Sequence, residues 1–324
     1  MLKVLALFLT VIVVAVAVVQ WRAAAREAQA VAEYPPHGKI VEVGGVPVHA
    51  LVMGSGPDLV FLHGASGNIR DVTFDIADAL AKSYRVIILD RPGLGHTGHA
   101  RPEYASVWRR ATESPFEQAQ LLQQAALKLG AERPIVVGHS FGGAVAWAWG
   151  LSAPDQTAAI VSIAGVANPW PGKLSLQHRI TSSVLGAALV VPVMSAFAPQ
   201  PVIEGALTSI FAPQSAPQGY MEAVGVGLIL RRASMRANAR QITSLRPHIV
   251  EMSKRYGELK MPVEIVHGDA DTIVPVTVHS VMLPEQIASA RLTVLPGAGH
   301  MPHHTHRRDV LDAIDRAAAR AGLR

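Results

Sequence analysis

The chain has no cysteine among its 324 residues, which excludes a disulfide framework, a thiolate nucleophile and a thiolate metal site. That absence fits any compartment, so it locates nothing. Charged residues are scarce at 16% and aromatic residues scarcer at 5%. Against 50% hydrophobic residues, such low charge excludes an intrinsically disordered chain. The net charge of +5 is small for this length, and no basic patch is interleaved with aromatics, so no nucleic-acid partner is indicated. There is no internal repeat. What is present is enough apolar sequence for one large core or two modest ones.

The first residues form a separate unit. Lys3 precedes an uncharged run from Val4 to Gln20, closed by Trp21 and Arg22. The run is just long enough to span a bilayer and longer than a typical signal-peptide core of about 7–15 residues. Trp21 suits a membrane interface. Residues 1–22 are therefore expected to be an N-terminal membrane anchor, with a signal peptide cleaved near Ala23-Ala24-Ala25 as the alternative. The usual signal-anchor arrangement puts the rest of the chain outside the cytoplasm, and cleavage would instead give an exported soluble protein. Residues 23–38 read as a polar linker ending in Pro35-Pro36. Val184–Met194 is also apolar, but its length and Pro192 argue for a helix over a pocket and against a second span.

From Lys39 the chain alternates. Strands are expected at Lys39–Val43, Val46–Met53, Asp58–Leu62, Arg85–Leu89, Ile135–Val137, Ala159–Ile163, Val263–Val266 and Arg291–Leu295. Gly44-Gly45 marks a hairpin between the first two. Helices are expected at Asn68–Ala81, at Pro115–Leu129 with Ser114 as N-cap, from Gly143 to Leu151, and at Arg307–Ala321. Uniformly apolar strands alternating with helices indicate an α/β fold, a mostly parallel sheet of eight strands covered on both faces. Residues 39–166 and 262–324 form this core. Residues 167–261 contain no convincing strand and read as a helical lid inserted into it.

The chemistry lies in a few short motifs. Gly138-His139-Ser140-Phe141-Gly142 sits between a strand and a helix. There a tight turn needs glycine on both sides and leaves the serine hydroxyl exposed near a helix N-terminus. A serine nucleophile needs a base to take its proton and an acid to orient that base. Gly297-Ala298-Gly299-His300 follows the last strand and supplies the base. His267-Gly268-Asp269-Ala270-Asp271 follows the strand before it and offers two candidate acids. The N–H of Phe141, next after the serine, is one candidate oxyanion donor.

With His63-Gly64, Asp90-Arg91-Pro92-Gly93-Leu94-Gly95 and Val274-Pro275 added in this order, the chain resembles the α/β-hydrolase superfamily from about Lys39 to Ala321. The likeness is to its lid-bearing branch of esterases, carbon–carbon bond hydrolases and haloperoxidase-like and dehalogenase-like enzymes. The resemblance implies a Ser140–Asp271–His300 triad, selecting Asp271 over Asp269. It also assigns the second oxyanion donor to Ala65, with His63 ordering that loop. A serine where dehalogenase-like relatives carry aspartate implies acyl transfer. The expected activity is hydrolysis of a small-molecule ester of apolar character, with no metal or organic cofactor. Carbon–carbon hydrolysis, peracid formation and a non-catalytic membrane-anchored binding protein are the alternatives.

Other residues attract weaker readings. His303, His304 and His306 beside His300 resemble a metal cluster, but no distant carboxylate is evident from sequence. His96 and His99 read as loop polar residues, and Trp147 and Trp149 as core. Trp170, Met194, Phe197, Phe211 and Tyr220 are candidates for lining an acyl pocket, equally so for ordinary packing. Arg231, Arg232, Arg236, Arg240 and Arg246 read as a solvated basic face, with an anionic lipid or substrate as the alternative.

Overall fold

The computed structural model describes all 324 residues. Eight strands form one sheet: β1 (Lys39–Val43), β2 (Val46–Met53), β3 (Asp58–Leu62), β4 (Arg85–Leu89), β5 (Ile135–His139), β6 (Ala159–Ile163), β7 (Val263–Gly268) and β8 (Ala290–Leu295). Their spatial order is β1-β2-β4-β3-β5-β6-β7-β8. β1 and β2 pair antiparallel, as do β2 and β4; every pairing beyond that is parallel. The carboxyl ends of β3 and β5 to β8 thus open on one edge, where loops from distant parts of the chain converge.

Each sheet face buries its own core, as the strand period of two requires. Val60, Leu62, Ile87, Leu89 and Val136 pack against α4 (Pro115–Lys128) and α5 (Phe141–Ser152). The alternate residues Leu59, Phe61, Val86, Ile88, Ile135 and Val137 pack against α2 (Ile69–Thr73), α3 (Ile76–Leu80) and α15 (Arg307–Arg320). α4 opens with a capping box between Ser114 and Glu117, so its first orphan N–H groups are satisfied locally. The single helix expected over Asn68–Ala81 is broken into α2 and α3. The break sets Phe74 against Tyr220 and His304, a tertiary contact that helical periodicity does not encode. Trp147 and Trp149 are fully buried on α5.

Between β6 and β7 the chain forms α6 (Leu176–Ser182), a π-helical turn (Gly186–Val190) running into α7 (Val191–Phe197), α8 (Gln200–Phe211), α9 (Tyr220–Ala223), α10 (Val226–Ile229) and α11 (Arg232–Ser253). The short α12 (Val276–His279) and α13 (Leu283–Gln286) follow β7, and α14 (Pro302–Thr305) precedes α15. Of the five arginines expected on a solvated basic face, Arg231, Arg232, Arg236 and Arg240 are partly or fully buried, and Arg246 is exposed. Arg240 is buried with its guanidinium on the carbonyls of Tyr104, Ser106 and Val107. Arg231, Arg236 and Arg246 hold the carbonyls of Gly95, Ala187 and Trp170.

The N-terminal helix α1 (Leu2–Glu33) runs through residues 23–33, which sequence alone marked as linker. Ala23 and Ala30 are buried against the insertion, and packing there compensates for weak amphipathic patterning. Every residue from Met1 to Val18 is exposed.

Candidate active site

The turn between β5 and α5 is built by steric exclusion. A Cβ on Gly138 would lie 2.3 Å from the Gly142 carbonyl oxygen, and one on Gly142 would lie 2.2 Å from that of Leu62. No side chain fits at either position. Ser140 between them has φ +53° and ψ −116°, a conformation that costs free energy and is held by the surrounding packing. Its N–H donates to Ile163 O at 3.0 Å, and its carbonyl accepts from Gly143 and Val166.

The structure brings Ser140, His300 and Asp271 into one hydrogen-bonded row. Asp271 Oδ2 accepts from His300 Nδ1 at 2.7 Å, which leaves His300 Nε2 to face Ser140 Oγ at 2.9 Å. Burial opposes the charge of Asp271. Hydrogen bonds from His267 and His300, the His300 imidazole and the Val274 N–H outweigh it and hold the carboxyl well below its ordinary range. Asp271 Oδ1 accepts from Ile273 N and Val274 N at 2.8 and 2.9 Å, which fixes the carboxylate plane. Asp269 faces elsewhere: it is exposed and accepts from Gly297 N at 2.6 Å, shaping the loop that carries His300. His139 accepts no role in the row. Its Nε2 meets the His300 carbonyl at 2.9 Å, and burial, with the neighbouring imidazoles of His303 and His300, pushes its pKa far down, so it is neutral.

Two backbone N–H groups beside Ser140, those of Phe141 and Ala65, donate to no other atom of the protein. The Gly64–Ala65 peptide is clamped from behind. Its carbonyl accepts from Arg91 Nη2 at 3.1 Å and from His63 Nδ1 at 2.9 Å. The tautomer of His63 follows from the network, because Arg91 N donates to His63 Nε2 at 3.0 Å. Burial, then the Arg91 charge, lowers His63 to about 4, so it stays neutral. Arg91 is itself fully buried. It spans His63 O, Gly64 O, Gln118 and Gln241, with its guanidinium 4.3 Å from the Phe141 ring. In a trans peptide the N–H points opposite the carbonyl, so this clamp aims the Ala65 N–H at the serine side. From α11, Asn238 Oδ1 accepts from Ser66 N at 2.7 Å and its amide donates to Ser66 Oγ at 2.9 Å, holding the next residue at φ +53°. Arg91 lay inside a motif that sequence singled out, but nothing in the sequence pointed to Asn238.

Ser140 and His300 open into a cavity of about 430 Å³ under the insertion, lined mainly by apolar side chains such as Met194, Ile203, Leu207, Ile210, Leu228 and Ile242. No lysine or arginine lines it. Of the five side chains considered as pocket lining, Met194 and Tyr220 reach the cavity. Phe211 is buried beside Tyr220, Phe197 is exposed, and Trp170 packs near His279. His96 meets Tyr34 O and His99 meets Glu113, both structural contacts.

A carboxylate that sequence did not connect to the later histidines does meet them. Asp71 accepts from Tyr220 Oη at 2.6 Å, from His304 Nε2 at 2.9 Å and from His303 Nε2 at 3.3 Å. The three residues Asp71, His303 and His304 could offer ligand atoms within 4.8 Å of one another. The Nδ1 atoms of both histidines are buried without partners, however, whereas a ligating histidine normally has its other nitrogen held. The group is a hydrogen-bonded junction that ties α9 of the insertion to α2 and α14.

The alpha/beta hydrolase family model matches residues 59–313. The chain is 27% identical over 275 residues to a pimeloyl-[acyl-carrier protein] methyl ester esterase of Aeromonas hydrophila, covering 81% of this chain and 95% of that protein. Among solved structures, 2-hydroxy-6-oxo-6-phenylhexa-2,4-dienoate hydrolase from Rhodococcus sp. strain RHA1 superposes with a TM-score of 0.68 at 21% identity, covering 86% of this chain and 98% of that one. A bacterial membrane phospholipase A superposes with a TM-score of 0.65 at 20% identity, covering 97% and 99%. With the family model spanning most of its length, the chain belongs to the alpha/beta hydrolase family and is a hydrolytic enzyme.

Proposed function

We propose that the enzyme hydrolyses a neutral, largely apolar carboxylic ester through an acyl-enzyme on Ser140. As Ser140 Oγ attacks the ester carbonyl carbon, His300 Nε2 takes the hydroxyl proton. Asp271 holds the imidazole in the required tautomer and stabilises the imidazolium. The N–H groups of Phe141 and Ala65 bind the oxyanion as it forms. The intermediate collapses, the C–O bond to the alcohol breaks, and His300 delivers the proton to the leaving oxygen. Water then attacks the acyl-enzyme, gives its proton to His300, and releases the acid as Ser140 regains its hydrogen. The observation that carries this reading is the row of 2.9 and 2.7 Å contacts with two unpaired N–H groups at its serine end.

The similarity to a methyl ester esterase over 95% of that protein's length supports an ester substrate. Carbon–carbon hydrolysis of a dienoate is disfavoured by the cavity, which offers no arginine or lysine to a substrate carboxylate. Residues 167–261 act as the lid that excludes water from the cavity. α1 acts as an uncleaved anchor. Its support is the packing across the small residues that a peptidase would cut, with Ala23 buried and Arg26 on Ala196 O.

Turnover of p-nitrophenyl butyrate by the wild type beside Ser140→Ala tests the chemistry. The variant is expected to lose about 10⁴-fold or more in kcat. A fluorophosphonate should label the wild type and not the variant. Equal turnover in both would refute the assignment, and so would label at another residue. Resistance of the protein to carbonate extraction from membranes tests the anchor.

A further inference from the structure

Two features of the chain meet at one place. α1 is fixed to the insertion at the level where its apolar run ends. Arg22 Nε and Arg26 Nη1 both donate to Ala196 O, at 3.0 and 3.1 Å, and the Arg22 guanidinium lies 4.9 Å over the Phe197 ring. Next to Arg26, Glu27 receives Arg232 through paired contacts of 2.8 Å, and Gln20 meets the same guanidinium. The helix cannot swing freely on such an attachment. Whatever plane surrounds Leu2–Val18 is therefore set against the C-terminal end of α7.

The second feature is the absence of charge there. From Ile180 to Ile203 the sequence has no Asp, Glu, Lys, Arg or His. Leu185, Leu189, Val193 and Phe197 recur every four residues from the N-cap of the π-turn through α7, which puts them on one face, and all four are exposed. α6 with the helix Gly186–Phe197 forms a bent apolar pair at 90°. Exposed apolar residues scattered singly need no explanation, but a continuous uncharged stripe beside an apolar helix does. The same short segment also walls the cavity: Met194, Ala198, Val202 and Ile203 line it.

Building on the esterase and anchor readings above, we propose that the segment Val193–Val202 is a bilayer-facing rim. It rests in the interfacial layer beside α1, with Val193 and Phe197 in contact with lipid, and the cavity takes its ester from the lipid phase. The substrate class is then a membrane-dissolved ester with a long apolar chain. Partitioning into the bilayer concentrates such a molecule at the mouth of the site, and the molecule need not cross water to reach Ser140. Trp21, exposed at the same level, is the residue expected at such an interface.

The absence of native cysteine makes the test direct. Single variants Val193→Cys, Phe197→Cys, Ile12→Cys and Leu127→Cys of the full chain would be labelled with bimane and reconstituted in phosphatidylcholine vesicles containing brominated lipid. Leu127 lies at the end of α4, beside the amino ends of the strands and away from the insertion. Quenching is expected at positions 12, 193 and 197 and not at 127. Quenching at 12 alone would overturn the rim, and no quenching at 12 would remove the anchor and the proposal with it. A second arm compares p-nitrophenyl butyrate in water with p-nitrophenyl palmitate in vesicles for Val193→Asp with Phe197→Asp. The expected result is unchanged butyrate turnover and a loss of about tenfold or more on the vesicle substrate. Equal losses on both would overturn the proposal. Failure of the esterase reading shows separately, as butyrate turnover insensitive to Ser140→Ala.

Discussion

At the residue scale, the site depends on a side chain that touches no reacting atom. Arg91 holds the carbonyl of the peptide whose N–H is proposed to serve the oxyanion, together with neutral His63. Burial pushes the guanidinium down to about 9, so it remains charged at neutral pH. A cation on the carbonyl side polarises the peptide and strengthens its N–H as a donor. Arg91→Met should therefore lower kcat by about 10–100-fold, a part of the 100–1000-fold that loss of a whole oxyanion donor costs. KM should stay within about twofold, because the developing charge, not the ground-state ester, feels the change. Arg91→Lys should recover part of kcat. Steady-state kinetics on protein shown folded by circular dichroism separates these outcomes, and a rise in KM with kcat unchanged would mean that Arg91 shapes binding only.

At the element scale, the strand–turn–helix unit is specified by what cannot fit. Gly142→Ala drives a Cβ to 2.2 Å from Leu62 O and 2.7 Å from His63 O, backbone atoms at the end of β3 and just beyond it that cannot yield without disturbing the strand. The expected cost is about 3 kcal/mol, at the upper end for overpacking, read as a fall in thermal midpoint. Gly205 in α8 is the opposite case: nothing lies within 4 Å of its Cβ position and its φ is ordinary. Gly205→Ala should stabilise α8 by about 0.5–1 kcal/mol, since only helix propensity changes. If the two variants shift the midpoint equally, the steric account of the turn fails.

At the scale of the whole molecule, buried neutral histidines make stability depend on acid. Burial lowers His63, His279 and His303 to about 4, and holds His139 well below its ordinary value. The unfolded chain binds protons on these imidazoles near pH 6.5, the folded chain only near pH 4, so acidification between those values favours unfolding. Below that window the carboxylates of Asp71 and Asp271, held low in the fold, add a further loss as they are protonated. The thermal midpoint should be flat above about pH 7 and fall steadily from pH 6.5 to 4. A midpoint constant over that range would mean that the imidazoles are solvated. The Asp71 junction lies between core and insertion, so the contacts of the insertion are expected to loosen first.

The fold was legible in the sequence to a large degree. Apolar runs of four to six residues between turn residues are a local signal, and Gly138, Gly142, Asp271 and His300 each lie in a motif with its own spacing. Their mutual approach was not local: Ser140 and His300 are 160 residues apart and meet only because parallel pairing of β5 to β8 brings the ends of those strands to one edge. The helix over residues 23–33, the break at Phe74, the inward turn of Arg236 and Arg240 on α11 and the union of Asp71 with His303 and His304 were likewise invisible, since each is decided by a partner far along the chain. Periodicity and turn chemistry determined which elements form and in what order. Packing between distant segments decided which side chains share a site, because burial can make a charged or polar group a clamp only when its partner arrives from elsewhere in the fold.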